Sequence, residues 1–140
     1  MLSVKESVAV ITGGSGGIGM ALAEYWIKNQ GKVVLADVIP EALEKAKEKL
    51  GGDVVTVICD VTDEADCGRL ADTAIDAFGQ INLVAPFAGI IMDGLMISPE
   101  RETGKITKKM PLEKFQKVVD INLTGVFLTV RECTERMVNN

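Results

Sequence analysis

The chain has 140 residues, 47% hydrophobic and 25% charged, a balance that places it among globular proteins rather than disordered or collagen-like ones. One domain of this length buries roughly 70% of its unfolded surface, so a core forms without disulfide staples or structural metal. The net charge of −5 opposes binding to a nucleic-acid backbone, and the absence of His excludes zincins, Ser-His-Asp hydrolases and Cys-His proteases within this chain.

Cys59, Cys67 and Cys133 form no CxxC and leave an odd count, which reads as reduced intracellular thiols. The first six residues carry no basic leader pattern, and the apolar run at residues 8–11 is too short to cross a bilayer. The expectation is a cytoplasmic protein with no membrane or nucleic-acid partner and no metal site.

Residues 7–11 read as a buried strand, because Val8, Ala9, Val10 and Ile11 leave no polar face. A Gly-rich turn follows. From Gly17 the spacing of Ile18, Leu22, Tyr25 and Trp26 predicts a helix closing near Gln30-Gly31, with Gly31 supplying the left-handed turn. Residues 32–36 predict a second strand, residues 40–50 a helix with Pro40 in its first turn, and residues 53–58 a third strand. Thr62-Asp63-Glu64 opens a helix to about Phe78, with Thr62 as its N-cap, and residues 81–85 predict a fourth strand.

Strands joined by helical crossovers predict an α/β fold, a doubly wound parallel sheet of order 3-2-1-4. Residues 86–110 break this rhythm. Pro99, Gly94, Gly104 and the run Glu100-Arg101-Glu102 predict a long loop of the kind that forms lids. After Pro111, Leu112, Phe115, Val119, Leu123, Val126, Val130 and Met137 predict one long helix, residues 112–137, with more apolar positions than a single stripe needs. Its surplus apolar surface predicts contact with either a second subunit, in a homo-oligomer, or further chain that is missing here.

The chemistry begins at Thr12-Gly13-Gly14-Ser15-Gly16-Gly17-Ile18-Gly19, between a strand and a helix. Glycines there permit positive φ and close approach to a pyrophosphate, and the helix N-terminus presents free N–H groups to the anion. The alternative is a turn needed only for tight strand-to-helix packing. Asp37 ends the second strand eighteen residues beyond Gly19, where a carboxylate can accept from adenosine ribose hydroxyls. A carboxylate also repels a 2′-phosphate, and neither Ser15 nor Val38-Ile39 supplies a cation to hold one, so NAD is the expected cofactor. The competing reading of Asp37 is a solvated strand-end acid.

These residues resemble the short-chain dehydrogenase/reductase family. Thr12-Gly13-x-x-x-Gly17-Ile18-Gly19 looks like its TGxxxGIG cofactor loop, and Asp37 like its NAD-selecting acid. The resemblance implies a Rossmann-like fold and a cofactor site built from Gly13, Ser15, Gly16, Gly17, Ile18, Gly19 and Asp37. It adds Asp60 and Val61 at the adenine, where Asp60 could equally be an ordinary loop acid. Ala88-Gly89 stands where the family has Asn-Asn-Ala-Gly, but Pro86 and Phe87 replace the two amides, and packing by Phe87 is expected to take over their bracing. Asp120-Ile121-Asn122-Leu123-Thr124-Gly125 resembles the helix segment carrying the family's catalytic Asn, which makes Asn122 the catalytic candidate. Apolar residues on both sides of Asn122 predict that it is buried.

The family's Tyr-x-x-x-Lys is absent: the single Tyr, Tyr25, is followed four positions later by Asn29. The resemblance covers the cofactor half of a family member, so residues 1–140 read as a C-terminally truncated NAD-binding domain whose remaining strands are missing. The expected whole is an NAD(H)-dependent oxidoreductase acting on a small alcohol/carbonyl pair. Alternatives are a non-catalytic NAD-binding or regulatory module, or an epimerase or dehydratase of related fold.

Overall fold

The computed structural model describes residues 3–140. Four strands, β1 (Val8–Thr12), β2 (Lys32–Asp37), β3 (Val54–Ile58) and β4 (Leu83–Pro86), form one sheet of order β3-β2-β1-β4. All its pairings are parallel. Helices α1 (Gly17–Lys28), α2 (Pro40–Leu50) and α3 (Glu64–Phe78) make the crossovers.

Alternate strand residues point to opposite faces and feed two cores. Ala9, Ile11, Val33 and Leu35 pack with Ala23 and Trp26 of α1 and with Leu43 and Ala46 of α2. Val8, Val10, Val34 and Ala36 pack with Leu70, Ala71 and Ala74 of α3 and with Leu128 and Cys133 farther along the chain. A sheet covered on both faces explains why β1 and β2 are apolar runs rather than alternating ones.

Several boundaries differ from expectation. Gln30, at φ +63°, takes the left-handed position after α1 in place of Gly31. Gly31 is needed for a different reason: a Cβ there would sit 2.4 Å from the Trp26 ring, whose indole N–H donates to the Ser7 carbonyl at 3.1 Å. Asp63, not Thr62, caps α3, its carboxylate accepting from the Asp66 N–H at 3.0 Å. Thr62 is turned back, donating its N–H and hydroxyl to Asp60 Oδ1 at 2.9 and 2.7 Å. The fourth strand begins at Leu83 rather than at residue 81, because Asn82 is occupied with Val8: its Oδ1 accepts from the Val8 N–H at 2.7 Å.

Two corrections concern the second half. The expected loop at residues 86–110 contains an antiparallel ribbon, β5 (Ile97–Pro99) with β6 (Ile106–Lys109), irregular between Ser98 and Pro99. The expected long helix is three pieces, α4 (Leu112–Val119), a π-helical turn (Asp120–Thr124) and α5 (Gly125–Asn139). Apolar spacing reports a helical face but not a single wider turn within it, and π-turns of this kind concentrate at functional sites. α5 lies against α3, where Arg136 pairs with Asp72 at 2.9 Å and Arg131 with Glu64.

Candidate active site

β1 has neighbours on both sides whose crossovers leave in opposite directions, and a crevice opens at such a switch point beyond the carboxyl ends of the strands. A cleft of about 370 Å³ occupies that place, lined by the glycine loop after β1, by Asp37-Val38-Ile39 after β2, by Cys59-Asp60-Val61 after β3 and by residues 87–90 after β4.

The loop after β1 is shaped by contacts that exclude side chains. Gly13 has φ +61°, and a Cβ on it would lie 2.8 Å from the Ala88 nitrogen. A Cβ on Gly19 would lie 2.5 Å from the Gly13 carbonyl oxygen, so the first turn of α1 can close on the loop only with glycine there. At its start, α1 has no side-chain cap and no acid in its first turn, whereas α3 has the Asp63 cap, Glu64 and Asp66. The helix therefore offers its positive end and its N–H donors to an external anion.

Asp37 faces this loop. Its Oδ2 accepts from the Ser15 hydroxyl at 2.5 Å and from the Ser15 N–H at 3.3 Å, and its Oδ1 accepts from the Val38 N–H at 2.8 Å. Across the cleft, the turn after β3 is pinned from two helices. The Asp60 N–H donates to Asp66 Oδ2 at 2.9 Å, and the Cys67 thiol reaches the Val61 carbonyl at 3.5 Å. Val61 presses on α5 where a Cβ on Gly125 would come within 2.6 Å of it. The Asp66 carboxyl is held below the ordinary carboxylate range by the Asp60 N–H and by Arg69. Cys59 beside it has its thiol pushed up, first by the neighbouring Cys67 thiol and then by burial.

The bracing after β4 differs from expectation. Phe87 is 43% exposed and does not replace the amides by packing. The backbone does that work: the Phe87 N–H donates to the Thr12 carbonyl at 3.2 Å, and the Ala88 N–H to the Thr12 hydroxyl at 3.3 Å. Asn122, on the π-turn, is exposed rather than buried. Its side chain nonetheless makes two hydrogen bonds, Oδ1 accepting from the Ile90 N–H at 2.9 Å and Nδ2 donating to the Ile90 carbonyl at 2.8 Å.

Of the residues singled out from the sequence, Gly13, Ser15, Gly16, Asp37, Asp60, Val61, Ala88 and Gly89 line one cleft. Gly17, Ile18, Gly19 and Asn122 are not among its lining residues, and the Ile18 side chain is 73% exposed. Val38, Ile39, Cys59, Phe87, Ile90 and Ile121 complete the wall, and sequence reasoning assigns none of them to the site. Ile39 and Ile90 follow strand ends, which was the available signal; Ile121 is delivered by the π-turn and had none. A larger hollow of about 730 Å³ between Asp60 and α4 shares only Asp60 and Ile121 with the cleft and contains none of the glycine loop. Among the described residues no three Cys, Asp or Glu side chains converge to hold a metal ion, and no helix is long and apolar enough to cross a membrane.

The family description short chain dehydrogenase matches residues 7–140. The chain belongs to the short-chain dehydrogenase/reductase family. It is 36% identical over 136 residues to tropinone reductase-like 1 of Erythroxylum coca, covering 96% of this chain and 47% of that protein. It is 34% identical over 138 residues to an NADP-dependent (R)-specific alcohol dehydrogenase of Lentilactobacillus kefiri, covering 97% of this chain and 50% of that one. A short-chain dehydrogenase/reductase from Burkholderia phymatum, solved in complex with NAD, superposes with a TM-score of 0.83 at 32% identity, over 99% of this chain and 47% of its own. The chain thus spans about half the length of the curated relatives it matches. An oxidoreductase family and a nucleotide-binding α/β fold are established by this membership.

Proposed function

We propose that residues 1–140 are the NAD-binding domain of an oxidoreductase that interconverts a small alcohol and its carbonyl compound. The observation that carries this reading is the Asp37 carboxylate, fixed to Ser15 of the glycine loop at the edge of the cleft. In this reading Gly13, Ser15, Gly16, Gly17, Ile18 and Gly19 form the pyrophosphate cradle at the uncapped start of α1. Asp37 receives the adenosine ribose hydroxyls, Asp60 and Val61 flank the adenine, and Ala88-Gly89 line the opposite wall.

NAD, when bound, accepts or supplies the hydride. Asn122 holds the peptide at Ile90 in the loop after β4, and its place on a π-turn supports a role at the reacting end of the site. Relatives of this chain include one solved with NAD and one named as NADP-dependent, so the choice of NAD here rests on Asp37. The same reading makes the whole protein a cytoplasmic homo-oligomer, joined through residues 112–137.

Turnover by the whole protein tests it, with NADH absorbance followed while a panel of secondary alcohols is supplied with NAD. Formation of NADH is the expected result. NAD binding without hydride transfer to or from any alcohol/carbonyl pair would favour a regulatory module instead.

A further inference from the structure

Asp60 commits most of its polar groups to its own turn. Its N–H donates to Asp66 Oδ2 at 2.9 Å, its carbonyl accepts from the Asp63 N–H at 3.0 Å, and its Oδ1 accepts from both the N–H and the hydroxyl of Thr62. Among the described residues its Oδ2 has no hydrogen-bond partner, and Asp60 is exposed on the wall of the cleft.

The tie to Asp66 departs from ordinary helix capping. An acid at the third position of a helix usually reaches back to the N–H of the capping residue. In α3 the capping Asp63 has already given its N–H to the Asp60 carbonyl, and Asp66 reaches three residues farther, to the Asp60 N–H. The other Asp66 oxygen pairs with Arg69 at 2.7 Å, and Arg69 also donates to the Ile58 carbonyl at 3.1 Å, at the end of β3. One half-buried carboxylate and one guanidinium therefore hold the turn at two points, Ile58 and Asp60. The Asp60 N–H and Arg69 keep the Asp66 carboxyl below the ordinary carboxylate range, so the acceptor is ionised at neutral pH.

We infer that Asp66, braced by Arg69, is a positioning residue for base recognition, acting through the Asp60 turn to aim the unpartnered Oδ2 at an exocyclic amino group. The inference rests on the proposal that the cleft takes an adenine dinucleotide with its base beside Asp60. A carboxylate oxygen accepts from the 6-amino group of adenine and repels the 6-oxo group of hypoxanthine. Such a contact depends on angle as well as distance, so loosening the turn erodes the discrimination while Asp60 itself is unchanged. A residue that only stabilised the fold would leave the discrimination intact.

The probes are NAD and nicotinamide hypoxanthine dinucleotide, which differ only in the base. Calorimetry on the protein is expected to show NAD binding at least about tenfold more tightly than the analogue. Asp66→Ala should weaken NAD by about fivefold or more and change the analogue by less than about twofold. Asp66→Asn, which keeps an acceptor for the Asp60 N–H, should restore most of the ratio. Arg69→Met loosens the turn from the other side and should lower the ratio by about threefold, so it decides the matter if Asp66→Ala does not fold. In an Asp60→Ala background, adding Asp66→Ala should change NAD affinity by less than about twofold, because the acceptor that Asp66 aims is gone. The inference is overturned if the folded variants keep the unaltered ratio, if Asp66→Ala weakens both ligands equally, if Asp66→Asn behaves as Asp66→Ala, or if the two alanine effects simply add. If the unaltered protein binds neither dinucleotide, the cofactor reading fails and takes this inference with it. If NAD binds and only the Asp66 and Arg69 effects are missing, the positioning role alone is wrong.

Discussion

The Ser15 hydroxyl donates to Asp37 Oδ2 at 2.5 Å, joining the glycine loop after β1 to the end of β2 across 22 residues of chain. A charge-assisted bond of this kind fixes the rotamer of the carboxylate before any ligand arrives, and so prepays part of the ordering that binding requires. Ser15→Ala is expected to weaken NAD binding by about fivefold to tenfold, on the order of 1 kcal/mol, and to narrow the preference over NADP. Ser15→Thr, which keeps the hydroxyl, should restore most of both. Calorimetric titration of the two variants checks this, and an alanine variant with unchanged affinities would show that the contact does not position Asp37.

Asn122 and Ile90 exchange two hydrogen bonds, the amide side chain matching a peptide group. Asn122→Ala leaves that peptide unpaired beside the cleft and should lower stability by about 1–2 kcal/mol. Asn122→Asp keeps the acceptor for the Ile90 N–H but loses the donor to its carbonyl, so an intermediate loss is expected. Denaturant titration of both variants measures the order, and equal stability of all three proteins would remove the bracing role.

Buried thiols set the alkaline behaviour. The Cys133 thiol is pushed up from an ordinary 9.0 to about 12, by burial first and by Cys67 next. Between those values the native chain keeps a proton that the unfolded chain has lost, so stability falls as pH rises through that window. At the acid end Asp66 is held down by the Asp60 N–H and Arg69, and Glu132 by Arg131 and Arg136. Their contribution is present above ordinary carboxylate values and is lost as pH falls through the lowered ones. Thermal midpoints across pH should therefore decline on both sides of neutrality, with a shallower alkaline decline in Cys133→Ala. An identical alkaline limb in that variant would contradict the assignment.

Leu112, Phe115, Leu123 and Phe127 are all exposed on α4, the π-turn and α5. In the proposed homo-oligomer these exposed apolar side chains are the ones expected to be covered by the partner. Light scattering is expected to show residues 1–140 oligomeric or aggregating, and Leu123→Glu with Phe127→Glu should shift them toward monomer. A monodisperse monomer from the unaltered chain would contradict the face as an interface.

How far the sequence discloses this molecule follows from what each feature depends on. β1 and β2 are legible because burial on both faces leaves uninterrupted apolar runs such as Val8 to Ile11; β3, a half-buried edge strand, is legible from its β-branched residues between Gly52 and Asp60. The glycine loop is legible because only glycine fits at Gly13 and Gly19, where backbone would meet any Cβ. The β5–β6 ribbon is hidden by Pro99 and by the charged run that follows, both of which read as loop. The π-turn is hidden because Asp120–Thr124 sits in apolar spacing that an uninterrupted helix would share. The apolar neighbours of Asn122 predict burial, yet its partner is the Ile90 peptide, 32 residues away, and it is exposed.

The central claim is that Asp37 makes this cleft a site for NAD. Calorimetric titration of the protein with NAD and with NADP tests it most directly, repeated on Asp37→Ala. NAD is expected to bind at least about tenfold more tightly than NADP, a difference of about 1.4 kcal/mol, and the alanine variant is expected to weaken NAD and lose that discrimination. Equal affinity for the two cofactors in the unaltered protein, or tighter binding of NADP, would contradict the account.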